Sequence, residues 1–101
     1  MPKPLKVEFS PTALFDLEDI ADYIAKDNPV AAEQWVDRLI AAAHKVASHP
    51  RSGRVVPEVE DPKFREVIVG AYRVIYRVDG NRLLVVTVIE GHRRLRGTPG
   101  G

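Results

Sequence analysis

The sequence predicts an α+β domain in which a helical hairpin packs on a small, antiparallel-rich sheet. Three observations carry this prediction: an alternating segment at the start, two consecutive segments of helical periodicity, and several β-rich segments in the second half. They give the order β-α-α-β-β-β. Because 101 residues can form one hydrophobic core but not two, we expect a single domain over residues 1–96 and a flexible tail over 97–101.

The first half of the chain combines one strand with two helices. Leu5, Val7 and Phe9 alternate with polar residues, as in a half-buried strand. Ser10-Pro11 and Asn28-Pro29 each place a capping side chain before a proline at the first helical position, which predicts helices over about 11–26 and 29–48. The predicted buried positions are Leu14, Leu17, Ile20, Ala21 and Ile24 on the first helix, and Ala32, Trp35, Val36, Leu39, Ala43, Val46 and Ala47 on the second. Asp16, Asp19 and Asp22 lie away from the first stripe.

The second half of the chain reads as extended structure. Strands are predicted over 64–69, 72–78 and 82–90, with a further short candidate at Arg54-Val55-Val56. Asp79-Gly80 predicts a hairpin with a type I′ turn. The last strand is apolar on both faces, so we expect it to be central in the sheet.

The net charge of +1 is the sum of an acidic first half and a basic second half of the chain. Residues 1–50 carry five Lys or Arg against eight Asp or Glu, whereas residues 51–101 carry ten against six. Nine of those ten basic residues are arginines. This distribution favours an anionic partner for the second half.

Several classes of function are disfavoured by what the sequence lacks. There is no cysteine, no glycine-rich nucleotide loop and no metal-ligand spacing among His44, His49 and His92, so we expect no metal and no cofactor. The serines have no hydrolase context. With no apolar run long enough to span a bilayer and no secretory signal, the expectation is a cytoplasmic protein without a membrane partner.

The arginines are the remaining candidates for chemistry. On the strand that begins at Tyr72, the tyrosines and valines share one face while Arg73, Ile75 and Arg77 share the other. If neighbouring strands pair consecutively, further guanidinium groups converge there and match phosphate geometry. The candidates are Arg54, Arg65, Arg73, Arg77, His92, Arg93 and Arg94. The alternative is that they are solvating groups or partners of the nearby carboxylates Glu58, Glu60, Asp61 and Glu66.

An ordered set of residues resembles the RelE/ParE-type toxins from about Val7 to Leu95. The set comprises Phe9-Ser10-Pro11, Ala13, Asp16-Leu17, Ile20, Tyr23-Ile24-Ala25, Asn28-Pro29, Ala31-Ala32, His49-Pro50, Gly53-Arg54, Arg65-Glu66, Gly70, the run from Tyr72 to Val78, Val88 and His92. The resemblance implies the toxin of a type II toxin–antitoxin pair, associated with plasmid stabilisation and growth inhibition and neutralised by a cognate antitoxin. It implies either a RelE-like endoribonuclease that cleaves messenger RNA on the ribosome without a metal, or a ParE-like inhibitor of DNA gyrase without chemistry of its own.

The endoribonuclease is the leading hypothesis, and the resemblance then implies specific roles for residues of this chain. By resemblance to the YoeB-like members, Glu58 is the general base, Arg65 stabilises the phosphorane and His92 is the general acid. Arg73 adds a phosphate contact, and Arg54, Arg77, Arg93 and Arg94 complete the substrate-binding set. His92 is followed by Arg93-Arg94-Leu95 rather than by the tyrosine of that group, and the lysine-rich loop of RelE is absent. Two alternatives therefore remain: a ParE-like inhibitor of DNA gyrase and an inactive basic interaction module.

Overall fold

The computed structural model describes residues 3–93 and residue 95. Its elements are β1 (Lys6–Phe9), α1 (Pro11–Ala25), α2 (Pro29–Ala47), β2 (Arg54–Val55), β3 (Phe64–Val69), β4 (Tyr72–Asp79) and β5 (Arg82–Glu90). The strands form one sheet in the order β1-β5-β4-β3-β2, in which β1 and β5 are parallel and every other pair is antiparallel. The predicted α+β class is confirmed, the short candidate forms β2, and the last strand lies inside the sheet.

Both helices begin at the predicted caps. The Ser10 hydroxyl accepts a hydrogen bond from the Ala13 N–H at 3.0 Å, and the Asn28 side chain accepts one from the Ala31 N–H at 3.1 Å. Each cap satisfies an N–H that has no partner within its helix. Ser10 also donates to the Val86 carbonyl at 2.8 Å, so the start of α1 is fixed to β5.

The sheet has an apolar cluster on each face. The helices cover the first cluster, which includes Leu17, Leu39, Val74, Tyr76 and Leu83. The opposite cluster consists of Val56, Val59, Phe64, Ile75 and Val86, with Leu84, Ile89 and Leu95 packed against it. Residues 56–59, which follow β2, and Leu95 therefore cover the face that no helix covers.

Six of the predicted core positions are not fully buried: Leu14 is exposed, and Ile20, Ala21, Ile24, Trp35 and Val36 are partly buried. Leu14 was expected on the buried stripe of α1 but is 53% exposed, because Ala13 and Leu17 occupy the face that meets the sheet. Trp35 is half-buried rather than fully enclosed. Its ring meets Tyr72 edge-on at 5.4 Å between centroids, and the Arg38 guanidinium stacks 4.2 Å from the ring centre.

Glycines with positive φ close both hairpins of the sheet. Gly70 joins β3 to β4 with φ of 58°, and Gly80 joins β4 to β5 with φ of 61°. The central residues of the second turn are Gly80 and Asn81, since Asp79 pairs with Arg82. Only the glycine has positive φ, which is the pattern of a type II′ turn, so the prediction of type I′ is wrong.

Within the described part of the chain, no helix is both long and apolar enough to cross a membrane. The predicted tail, residues 97–101, lies outside the described residues.

Candidate functional site

Four charged side chains form a continuous network on the sheet face opposite the helices. Arg54, Glu66 and Arg73 share this face, since Arg54 pairs with Glu66 across β2 and β3, while Arg73 on β4 reaches Glu66 diagonally. Arg73 donates from Nε to Glu66 at 2.7 Å and from its two terminal nitrogens to Glu58 at 2.7 and 2.6 Å. Arg54 binds the other oxygen of Glu66 at 2.5 Å. The charges therefore alternate along the network.

The centre of this network is buried. The side chains of Arg73, Glu58 and Glu66 are only 4%, 8% and 0% exposed. Hydrogen bonds from Arg73, aided by the Leu95 N–H, lower the pKa of Glu58 to about 2 against the opposing effect of burial. The same bonds to Glu58 raise the pKa of Arg73. A carboxylate with so low a pKa accepts a proton poorly near neutrality, so the geometry does not favour Glu58 as a general base.

The network also fixes the segment that follows β5. Arg73 Nη1 donates to the Arg93 carbonyl at 2.9 Å, and the Leu95 N–H donates to Glu58 at 3.1 Å. Leu95 packs against the second apolar cluster. The donors of Arg73 are therefore occupied by protein groups, which leaves its guanidinium fork closed to a phosphate.

Arg65 points to the other side of the sheet. It lies directly opposite Tyr76 in the pairing of β3 with β4, and Tyr76 belongs to the cluster beneath the helices. Directly opposed residues of antiparallel strands share a face, so Arg65 and Arg73 lie on different faces. Arg65 donates to the Gly53 carbonyl at 2.8 Å. The expected convergence of guanidinium groups on one side therefore does not include Arg65.

His92 lies beyond the end of β5 and is exposed to solvent. Its side chain is 82% exposed, and Nε2 lies 3.2 Å from a Glu90 carboxylate oxygen. The backbone of the next residue, Arg93, accepts the bond from Arg73, so His92 adjoins the charged network without entering it. The structure thus places Glu58 in a buried ion pair, Arg65 on the helix side and His92 in solvent.

Arg77 and Arg93, the remaining predicted substrate-binding residues that the structure describes, lie apart from each other. Arg77 is partly buried and lies 3.5 Å from Asp79 at the far end of β4. Arg93 has an exposed side chain, and Arg94 lies outside the described residues. Two of the carboxylates named as alternative partners of the arginines, Glu58 and Glu66, do pair with Arg54 and Arg73 and form the buried centre of the network. In the described residues no three His, Asp or Glu side chains are grouped as metal ligands.

Sequence reasoning missed Asp16, which it placed away from the packing face. The Asp16 carboxylate accepts hydrogen bonds from the Thr87 hydroxyl at 2.5 Å and from the Val88 N–H at 2.9 Å. These contacts lie where the register of β4 and β5 shifts between Ile75 and Tyr76, leaving Val86 without a directly opposed partner. A charged residue at this point of α1 thus connects the helix to an irregular strand.

The fold and the ordered sequence features define a member of the RelE/ParE superfamily of toxins. A sequence model described as the ParE toxin of the type II toxin–antitoxin system parDE matches residues 7–95. The chain therefore belongs to the ParE toxin family and is a type II toxin.

Its relatives carry names from both branches of the superfamily. The chain is 35% identical to Toxin RelE2 of Caulobacter vibrioides over 82 residues, which are 80% of this chain and 89% of that protein. It is 35% identical to Toxin ParE1 of Mycobacterium tuberculosis over 88 residues, which are 85% of this chain and 87% of that protein. The fold is similar to that of a chain in a chromosomal ParDE system from P. aeruginosa, with a TM-score of 0.71 at 19% identity over 85% of this chain and 95% of that chain.

Proposed function

We propose that this type II toxin arrests growth by binding DNA gyrase without covalent chemistry, and that a cognate antitoxin holds it inactive. The observation that carries the proposal is the buried pairing of Arg73 with Glu58 and Glu66. A metal-free ribonuclease needs a base, an acid and positive charge on one phosphate. In this chain the proposed base is already bound by an arginine, and Arg65 lies across the sheet from that pair.

The antitoxin partner is supported by the family to which the chain belongs, described as the toxin of a type II toxin–antitoxin system. The similar fold in a ParDE system adds structural support. We expect co-expression with the protein encoded beside the toxin to restore growth and to give a complex that purifies intact.

Ribosome-dependent message cleavage is the second candidate, because the identity to Toxin RelE2 equals that to Toxin ParE1. In that mechanism Glu58 is the base, Arg65 and Arg73 stabilise the phosphorane, and His92 is the acid. Glu58 would have to leave Arg73 before it could accept a proton from a 2′-hydroxyl. The nuclease therefore requires that the ion pair between Glu58 and Arg73 break first, whereas binding to gyrase does not.

Induced expression without antitoxin, with two simultaneous measurements, tests the proposal. Gyrase-linked DNA breaks should accumulate, while messages on ribosomes should stay intact. Cleavage of ribosome-bound messages without gyrase-linked breaks would overturn the proposal in favour of the nuclease. Undisturbed growth after confirmed expression of folded protein would contradict both.

A further inference from the structure

The helical hairpin carries a net negative charge, which ion pairs among the described residues do not neutralise. Residues 11–47 contain seven Asp or Glu against three Lys or Arg, a net charge of −4. Four arginines of the sheet behave in the opposite way. Arg54, Arg73, Arg77 and Arg82 each form an ion pair with a carboxylate outside the hairpin. None of the ion pairs formed among residues 3–93 and 95 includes a carboxylate of the hairpin.

Three of these carboxylates border an open groove between α1 and α2. The groove has a volume of about 500 Å³. Its apolar lining is made of small side chains, namely Ala21, Ala25, Pro29, Ala32 and Val36. Asp22 borders it from α1, and Glu33 and Asp37 border it from α2, all three with exposed side chains. An apolar floor therefore lies between negative charges from both helices.

We propose that this groove is the surface with which the toxin binds its protein target, and that it takes a basic amphipathic segment of that target. Small apolar side chains of the segment would contact the floor, while its Lys or Arg side chains would meet the carboxylates on both sides. The inference rests on the proposed function, since it assigns the docking surface of the same toxin.

Charge complementarity decides the class of occupant. Solvated carboxylates that form no ion pair within the described part of the chain gain favourable interactions only when a cationic group approaches, and they repel a nucleic-acid backbone. The sheet face, where the sequence alone predicted an anionic partner, has already used most of its arginines in internal pairs. A basic protein segment is therefore the ligand that this groove fits.

The test compares two triple variants with the same change in charge. The groove variant is Asp22→Asn/Glu33→Gln/Asp37→Asn. The control is Glu18→Gln/Asp27→Asn/Glu60→Gln, which removes three exposed carboxylates that do not line the groove. Thermal melting confirms that both variants fold, and their affinity for purified DNA gyrase is then measured with and without added salt.

We expect about a two- to fivefold loss of affinity for each rim charge removed, so the groove variant should bind at least about eightfold more weakly. The control should stay within about threefold of the wild type, and the difference should shrink as salt screens the charges. A third variant, Ala25→Phe, fills the groove without changing its charge and should also weaken binding.

The outcomes separate this inference from the proposed function. If the wild type does not bind gyrase, the proposed function fails. If the wild type binds and both triple variants bind equally well, the groove is not the docking surface. A groove variant that keeps its affinity for gyrase but no longer captures the antitoxin would also overturn the inference, since the groove would then belong to the antitoxin.

Discussion

Arg73 shares one guanidinium between two buried carboxylates, and this arrangement makes it a stabilising residue. Removing one partner from a buried ion pair costs more than the pair contributes, because the remaining charge is left without compensation. In the described structure every buried side-chain nitrogen or oxygen has a hydrogen-bond partner. Without Arg73, a carboxylate oxygen of Glu58 and one of Glu66 would each lose their hydrogen-bond partner.

Arg73→Met should therefore lower the free energy of unfolding by about 3 to 5 kcal/mol, measured by urea denaturation. Arg82→Met is the matched control, because Arg82 pairs with Glu8 at 2.9 Å while its side chain is 48% exposed. We expect the control to cost less than about 1 kcal/mol. Equal losses for the two variants would contradict the structural role of the network.

Acid should weaken the contribution of Glu58 in a defined pH window. The pKa of Glu58 falls from 4.5 to about 2 on folding, so the unfolded chain binds more protons between these values. The stabilisation is complete above about pH 4.5 and is lost as the pH falls towards 2. In urea denaturation, the difference between the wild type and Glu58→Gln should shrink across this window. The exposed Glu60→Gln serves as control, and a constant difference for Glu58→Gln would contradict the assignment.

At the scale of elements, the helix starts were predictable because each depends on a local pair, Ser10-Pro11 or Asn28-Pro29. The orientation of Arg65 was not predictable in the same way. It depends on the register of β3 against β4, which places Arg65 opposite Tyr76 rather than opposite a residue of the Arg73 face. The role of Asp16 depends on a register shift in β5, a feature that no local pattern marks.

The turn at Gly70 combines two local requirements, a positive φ and close packing. A Cβ at this position would overlap the Trp35 ring, whereas a Cβ at Gly80 would meet no atom of the described residues within 4 Å. Both glycines have nearly the same φ. Gly80→Ala should cost about 1 to 2 kcal/mol for the backbone alone. Gly70→Ala should cost a further 1 to 3 kcal/mol, roughly, for overpacking against Trp35, as measured by thermal unfolding. Equal losses of stability in the two variants would show that the Trp35 side chain moves aside without measurable cost.

The contact between α1 and β5 predicts that Asp16 contributes more to stability than Asp19 does. Asp16→Ala leaves the Val88 N–H without its acceptor, so it should lower the free energy of unfolding by about 2 kcal/mol. Asp19→Ala, one turn along the same helix and exposed, should stay within about 0.5 kcal/mol. Hydrogen exchange of the Val88 amide provides the direct measurement. Unchanged protection in Asp16→Ala would show that this bond contributes little.

At the scale of the whole molecule, charge is organised differently from its distribution along the sequence. Arg54, Arg73 and Arg77 of the arginine-rich half form internal ion pairs on the sheet, while among the described residues the carboxylates of the acidic hairpin form none. The composition showed that the first half is acidic and the second half basic, and from it we predicted an anionic partner for the second half. Only the three-dimensional pairing identifies which charges are already neutralised, and it favours a toxin that acts through a protein surface.

Growth arrest by the double variant Arg65→Ala/His92→Gln tests this account most directly. These substitutions remove the proposed acid and one of the two arginines proposed to stabilise the phosphorane, and they leave the buried network and the hairpin groove intact. If the toxin acts by binding, the variant should arrest growth and accumulate gyrase-linked DNA breaks as the wild type does. Loss of growth arrest in a variant that still folds and still binds its antitoxin would contradict the account.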